Sequence, residues 1–264
     1  MKPAVHITGN YLINPTNPVT VHLIGAGGTG SQMLTALARI NHALLSLNHP
    51  GLMVSVYDDD RVSDANLGRQ LFSESDVGFH KSVVLVNRIN RFFGTNWKGF
   101  THRFADGLYQ NSSYKANLYI TCVDTAKSRF EVSELLYGLR TESGYDRERP
   151  FYWMDLGNSQ HTGQVILSTI GPIRQPASDK FATVEVLPFI TEMFRDQLEQ
   201  AEQSDDTPSC SLAEALTKQD LFVNSSLANM GASLLWQLFR EGMLFNRGFF
   251  LNLRDFRSQP LKVA

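Results

Sequence analysis

A glycine-rich loop between an apolar run and a helical pattern constrains the fold of this chain most. Gly25, Gly27 and Gly30 fit the spacing G-x-G-x-x-G, with Gly28 as an extra glycine, directly after the run Val21–Ile24. Such glycines let the backbone turn tightly and approach a phosphate held at the N-terminus of the following helix. The loop therefore predicts a phosphate-binding turn between a strand and a helix. It leaves open the alternative of a tight turn that binds no ligand.

The spacing of apolar residues predicts alternating strands and helices along the rest of the chain. We expect strands at Leu52–Tyr57, Leu118–Val123, Phe151–Asp155 and Gln164–Thr169, helices at Ser31 to about Leu47, Lys81–Phe93, Thr125–Leu139 and Leu221–Arg240, and a closing hairpin of Phe249–Leu253 and Leu261–Val263. This order predicts an α/β fold. The sheet would be Rossmann-like, doubly wound and mainly parallel, with a C-terminal antiparallel extension and a long crossover segment.

Composition excludes several classes of protein. The net charge is −2, so no overall basic field attracts nucleic acid or an anionic membrane. No apolar run approaches the ~18–20 residues of a membrane span, and the first residues lack the apolar core of a signal peptide. The two cysteines, Cys122 and Cys210, suit a reducing cytoplasm and are too few for a four-cysteine zinc site. We therefore expect a cytoplasmic protein.

An acidic residue at the end of the second strand is the expected partner of a nucleotide ribose. Asp58 occupies that position, 28 residues after Gly30, where the usual spacing is about 20. We therefore expect a longer than average connection between the helix and the second strand. Asp59 and Asp60 follow at once, and a solvated turn is the alternative interpretation for them.

The polar residues after this strand favour nucleotidyl transfer over hydride transfer. Asn66, Arg69 and Gln70 lie in a polar stretch, Lys81 opens the next helix, and Asp124 follows the strand Leu118–Val123. Attack on the α-phosphate of ATP builds negative charge that arginine and lysine stabilise, while a carboxylate can hold Mg²⁺. Taken singly, Arg69 could be a surface ion pair and Lys81 a solvated charge.

From about residue 20 to 140 these blocks occur in the order of a known family. Gly25–Gly30, Asp58-x-Asp60-x-Val62, Asn66-Leu67-x-Arg69-Gln70-Leu71-Phe72, Asp76-Val77-Gly78-x-x-Lys81 and Asp124 with Arg129 resemble the ThiF/MoeB and ubiquitin-activating superfamily. Asp155–Asn158, Gly163–Val165, Cys210–Leu212 and Leu221–Asn224 look like the ThiF-related member of the PRTRC cassettes of bacterial mobile elements. The resemblance implies ATP-dependent adenylation of the C-terminal glycine of a ubiquitin-like or sulfur-carrier-like protein, usually by a homodimer.

The same resemblance implies a role for each matching residue. Asp58 would bind the ribose, and Asp60 would belong to the nucleotide site. Asn66, Arg69 and Lys81 would bind the phosphates, Asp124 would bind Mg²⁺, and Gln70 would support the site. For Arg129 a plain salt bridge is the alternative. Residues 1–264 would form one domain: an irregular arm at 1–19, a nucleotide-binding half at 20–140, and a carrier-binding half at 141–264. The last would include a crossover at about 171–220 with a short helix near Thr191–Gln203.

Cys210 is the candidate for capturing the activated acyl group as a thioester, because it lies in the loop Pro208–Ser211 of the crossover. A free or packed loop cysteine is the alternative. Cys122 lies within an apolar strand and is expected to be a buried packing residue.

Three departures from the family pattern limit these expectations. No pair of C-x-x-C motifs is present, so we expect no structural zinc. No arginine precedes Arg39, although many relatives use an N-terminal arginine that reaches the partner subunit's ATP; Arg174 or Arg195 would have to replace it, or turnover is weak. Ala65 and Gly68 replace commoner residues. Two other functions remain open: a non-catalytic interaction module, and a nicotinamide-dependent oxidoreductase that leaves Arg69, Gln70, Lys81 and Asp124 without roles.

Overall fold

The computed structural model describes residues 2–107, 115–140, 145–202 and 219–263. Its strands are β1 Ala4–Ile7, β2 Val19–Ile24, β3 Leu52–Tyr57, β4 Lys98–Phe100, β5 Leu118–Thr121, β6 Tyr152–Asn158, β7 Thr162–Thr169, β8 Ala182–Thr183, β9 Met243–Leu244, β10 Asn246–Asn252 and β11 Arg257–Lys262. Its α-helices are α1 Asn10–Ile13, α2 Gly28–Ser46, α3 Lys81–Phe93, α4 Ala126–Gly138, α5 Ile190–Met193, α6 Arg195–Glu202 and α7 Val223–Arg240.

The main sheet has eight strands in the order β11-β10-β7-β6-β5-β2-β3-β4. The five strands from β6 to β4 are mutually parallel, while β7, β10 and β11 add an antiparallel extension. The predicted Rossmann-like fold class is thereby confirmed. Because β3 lies on one side of β2 and β5 on the other, the chain changes direction at β2 and leaves a crevice at the carboxyl ends of β2 and β5.

Helices cover both faces of the main sheet. On one face α2, α3 and α7 enclose an apolar core in which Leu23 and Leu37 are fully buried. On the other face α4, α5 and α6 cover a second cluster that contains Tyr119 and Trp153. Within the described ranges, no helix is both long and apolar enough to cross a lipid bilayer.

Local signals explain the ends of the helices that flank the crevice. Gly94 ends α3 in the left-handed conformation, with φ of 70°, which a residue without a side chain adopts at little cost. The Thr125 side chain accepts a hydrogen bond from the Ser128 backbone N–H at 3.1 Å and so caps the start of α4. This cap fixes the chain directly after Asp124.

The first 19 residues differ from the irregular arm that we predicted. β1 pairs in parallel with β8 and antiparallel with β9, which makes a second sheet of three strands. Val5 and Leu12 are fully buried, and the His6 ring hydrogen-bonds Val184 O at 2.7 Å and the Tyr152 hydroxyl at 2.8 Å. These partners lie far away in sequence, so the local pattern of prolines and polar residues did not reveal them.

Two further predictions need correction. The strands predicted at Phe151–Asp155 and Gln164–Thr169 approach each other more closely in sequence than expected, because β6 and β7 pair as far as Asn158 and Gly163. The helix expected near Thr191–Gln203 is two shorter helices, α5 and α6, which are separated at Phe194.

Candidate functional site

A cavity of about 390 Å³ lies at the carboxyl ends of β2, β3 and β5, in the crevice where the strand order reverses. Its lining includes nine of the residues that the sequence singled out: Gly25, Gly27, Gly28, Asp58, Asp60, Arg69, Gln70, Lys81 and Asp124. Of the other predicted site residues, two lie elsewhere. Gly30 packs behind the loop and Asn66 lies outside the lining, while Cys210 is outside the described residues.

Close backbone contacts require glycine at two positions of the loop. Gly25 has φ of 93°, and a Cβ there would lie 2.7 Å from the Cys122 carbonyl oxygen. A Cβ on Gly30 would lie 1.9 Å from the Gly25 carbonyl oxygen. The glycines therefore let the start of α2 approach the sheet edge, which brings the positive end of the helix dipole to the cavity.

Asp58 is tied to the glycine loop. Its Oδ2 accepts a hydrogen bond from the Ala26 N–H at 2.6 Å, and its Oδ1 accepts one from the Asp60 N–H at 3.0 Å. Burial raises the pKa of Asp58 from 3.8 to about 6, against the opposing effects of the Lys81 charge and the Ala26 N–H. The carboxylate is therefore held in position but poorly solvated in the ligand-free protein.

Lys81, the first residue of α3, brings a buried positive charge to the cavity. Its Nζ lies 2.7 Å from Asp60 Oδ2; the Lys81 side chain is 8% exposed and that of Asp60 67%. The Lys81 backbone N–H also donates to the Asp60 carbonyl oxygen at 3.0 Å. These two bonds hold the start of α3 against the acidic turn after β3.

Arg69 and Gln70 carry buried polar atoms that lack a partner within the described residues. The Arg69 Nη1 donates to Gln219 Oε1 at 2.7 Å, but its Nε is unsatisfied, and so is Gln70 Oε1. Burial lowers the pKa of Arg69. An unsatisfied buried donor is costly, so a ligand oxygen at the Arg69 guanidinium would remove a penalty as well as form a bond.

Asp124 is exposed on the cavity wall and makes no hydrogen bond or ion pair within the described residues. A buried ion pair fixes the chain around it. Arg129 Nε donates to both carboxylate oxygens of Asp155 at 3.1 Å, and its Nη2 donates to the Val123 carbonyl oxygen at 2.6 Å. Arg129 therefore makes the salt bridge that was its alternative interpretation, and it anchors the residue before Asp124.

The donor set suits Mg²⁺ that arrives with a nucleotide. In the described ranges no three His, Cys, Asp or Glu side chains form a group that could hold a metal ion. Mg²⁺ commonly uses one or two carboxylates and takes its other ligands from phosphates and water. A free Asp124 beside the phosphate-binding loop fits that mode.

Several sequence candidates have other local roles. Asn66 Oδ1 accepts hydrogen bonds from the Ser63 N–H at 2.9 Å and from its hydroxyl at 3.2 Å, so it stabilises a turn. Arg174 and Arg195, the candidates to replace the N-terminal arginine, do not line the cavity. Arg195 pairs with Glu199 on α6, and Arg174 is exposed. Arg103 does line the cavity. Cys122 follows β5 rather than lying within it; it is half-buried at the cavity wall, and burial raises its thiol pKa.

Sequence reasoning missed a group of polar residues on the other side of the cavity. Asn224, in the first turn of α7, accepts hydrogen bonds from the Thr29 hydroxyl at 2.8 Å and from Asn158 Nδ2 at 2.5 Å. Its own Nδ2 donates to Gln219 Oε1 at 3.0 Å. Asn158 and Asn224 both lie in the segments with the PRTRC-like pattern, which is the signal that could have identified them.

The family assignment follows from a comparison with protein-family models. The ThiF family model matches residues 16–240, which covers the glycine loop, every cavity residue and all of α7. The chain belongs to the ThiF family. This confirms the resemblance drawn from the sequence, while membership of the narrower PRTRC group stays a prediction. A search of curated proteins returns no match.

Several solved structures share this fold. E. coli MccB with ATP is 15% identical with a TM-score of 0.58, covering 96% of this chain and 65% of that one. E. coli MccB with AMPCPP and MccA is 14% identical with a TM-score of 0.58, covering 93% and 64%. PaaA is 16% identical with a TM-score of 0.55, covering 93% and 64%. The present chain thus spans slightly less than two thirds of the length of these proteins.

Proposed function

We propose that this ThiF-family chain is an adenylyltransferase that uses ATP to activate a carboxylate at the C-terminus of a small protein. The observation that supports the proposal is the convergence of Asp58, Arg69, Lys81 and Asp124 on one cavity beside the glycine loop. A nicotinamide-dependent oxidoreductase would use the loop and Asp58 but has no need of the positive charges of Arg69 and Lys81. These two charges are suited to binding a triphosphate.

In the proposed reaction a carboxylate oxygen attacks the α-phosphorus of ATP. The bond from that phosphorus to the bridging oxygen breaks, and pyrophosphate leaves with the electron pair, so that an acyl adenylate forms. Arg69 and Lys81 stabilise the negative charge on the phosphoryl oxygens and on pyrophosphate. Asp58 holds the ribose, Asp60 keeps Lys81 in place, and Gln70 supports the phosphate side. Mg²⁺ held by Asp124 would neutralise phosphate charge.

The partner is proposed to be a ubiquitin-like or sulfur-carrier-like protein that ends in glycine. The amides of Asn158, Gln219 and Asn224 line the cavity, and amides can pair with the donors and acceptors of a peptide backbone. MccB has been solved with both AMPCPP and MccA, which supports a site in the present chain that takes a second molecule together with the nucleotide. We also propose a cytoplasmic homodimer, and transfer of the acyl group to Cys210 with release of AMP.

The test is ATP–pyrophosphate exchange by the full-length chain with Mg²⁺ and a ubiquitin-like protein that ends in glycine. We expect exchange that requires a free C-terminal carboxylate and is lost in Asp124→Ala. The matched control is Asp179→Ala, which removes an exposed carboxylate outside the cavity. Normal exchange by Asp124→Ala would refute the Mg²⁺ assignment.

Two other outcomes would contradict the proposal as a whole. Tight binding of the carrier without exchange would indicate a non-catalytic interaction module. Quenching of NADH fluorescence, in a chain that does not bind ATP, would indicate an oxidoreductase.

A further inference from the structure

One end of the cavity differs in chemistry from the phosphate-binding end. Its floor is formed by Tyr57 and Phe104, which are 3% and 2% exposed and meet edge to face with ring centroids 5.1 Å apart. Its rim carries Arg103 and Glu131, whose Nη2 and Oε2 lie 2.6 Å apart, with side chains 43% and 31% exposed. An aromatic floor under a polar rim is a suitable site for a flat ring with polar edges.

The charge of Glu131 indicates which part of a nucleotide this end can hold. It cancels the charge of Arg103 in the ion pair, so this end has no excess positive charge for phosphates. The triphosphate therefore belongs at the other end, with Arg69, Lys81 and the start of α2. Asp58, the ribose candidate, follows Tyr57 directly at the end of β3. The base is therefore the part of the nucleotide that reaches the floor formed by Tyr57 and Phe104.

We propose that Arg103 and Glu131 form a base-reading pair that selects adenine, which deepens the proposed function and rests on it. Glu131 accepts a hydrogen bond from the 6-amino group, and Arg103 donates to a ring nitrogen. Hypoxanthine carries an oxygen at position 6 instead, and that oxygen would face the carboxylate with no proton between them. A site built to pair with a donor discriminates strongly against an analogue that lacks it.

The test is calorimetric binding of ATP and of ITP, each with Mg²⁺ and without any carrier protein, to the full-length chain. A hydrogen bond to a charged group predicts about ten- to a hundredfold tighter binding of ATP than of ITP. In Glu131→Gln the ratio should fall towards one, because an amide offers either a donor or an acceptor to position 6. Glu131→Asp retains the acceptor and should keep part of the preference.

The matched control is Glu134→Gln, on the exposed face of α4 and outside the cavity lining; it should leave the ratio unchanged. If Glu131→Gln keeps the wild-type ratio of ATP to ITP affinity, the base-reading role is overturned. This includes an equal loss of affinity for both nucleotides, because an ion pair that only holds Arg103 against α4 would affect both nucleotides alike. Equal binding of ATP and ITP by the wild type overturns this inference alone. Binding of neither nucleotide overturns the proposed function as well.

Discussion

Asp58→Asn should stabilise the ligand-free protein at neutral pH while removing the proposed ribose contact. Asp58 has an ordinary pKa of 3.8 when unfolded and a pKa of about 6 in the fold, because burial disfavours its charged form. An acid whose pKa is raised by folding contributes stability that is complete below pH 3.8 and is lost as the pH rises through 6. The difference between the two pKa values corresponds to about 3 kcal/mol. An uncharged asparagine does not suffer this loss.

The size of the effect is read most cleanly as a difference between two pH values. The asparagine amide presents only one oxygen to the N–H groups of Ala26 and Asp60, and the lost bond costs about 1 kcal/mol at every pH. At each of pH 4 and pH 8, the free energy of unfolding of the wild type is subtracted from that of the variant. Comparing the two differences cancels the constant cost. We expect the relative stability of the variant to rise by about 2–3 kcal/mol between these values.

Urea unfolding at pH 4 and pH 8 measures this difference. Asp59→Asn is the matched control, because Asp59 is an exposed neighbour of Asp58 and its replacement changes the net charge equally. A stability difference between Asp58→Asn and the wild type that is the same at both pH values would refute the burial argument. At pH 8 the variant should also bind ATP more weakly than the wild type.

Two further predictions concern the glycine loop and Cys210. Gly30→Ala should lower the free energy of unfolding by about 3 kcal/mol, because its Cβ would overlap the Gly25 carbonyl oxygen. Gly27→Ala, whose added Cβ would have no atom within 4 Å, should change the free energy of unfolding by less than about 1 kcal/mol. Equal urea midpoints for the two variants would contradict this reasoning. With ATP and a carrier, Cys210→Ala should abolish a thiol-sensitive adduct on gels, whereas Cys122→Ala should retain it; an adduct that persists in Cys210→Ala would exclude the thioester role.

The elements that could be predicted from the sequence are those with local signals. The bounds of α3 agree with the prediction at Lys81 and Phe93 because apolar periodicity and a C-terminal glycine both act within a few residues. The same holds for β3, whose residues are apolar except for Ser55 and which is closed by aspartates. Asp58 and Asp124 also follow the ends of β3 and β5, and a doubly wound sheet binds its ligands at the carboxyl ends of its strands.

The parts that could not be predicted depend on contacts between distant residues. β1 pairs Ala4 with Ala182 and His6 with Leu244, so no local pattern reveals that sheet. The phosphate-binding role that the family motif implies for Asn66 stays a prediction, whereas the bond between Asn66 and Ser63 is a local turn contact. The spacing of a serine and an asparagine three residues later was a signal for that contact, and the motif resemblance outweighed it.

Contacts across the cavity connect the two halves of the chain on either side of residue 140. Arg69 lies in the first half and donates to Gln219 of the second, while Thr29 at the start of α2 donates to Asn224 of α7. A Cβ on Gly28 would lie 2.5 Å from Asn224 Nδ2, so the glycine loop is shaped by α7 as well as by the phosphate that it would hold. A nucleotide phosphate that drew Arg69 towards itself would compete with Gln219, which also accepts from Asn224. Nucleotide binding would therefore alter the contacts of the residue that directly follows the segment containing Cys210.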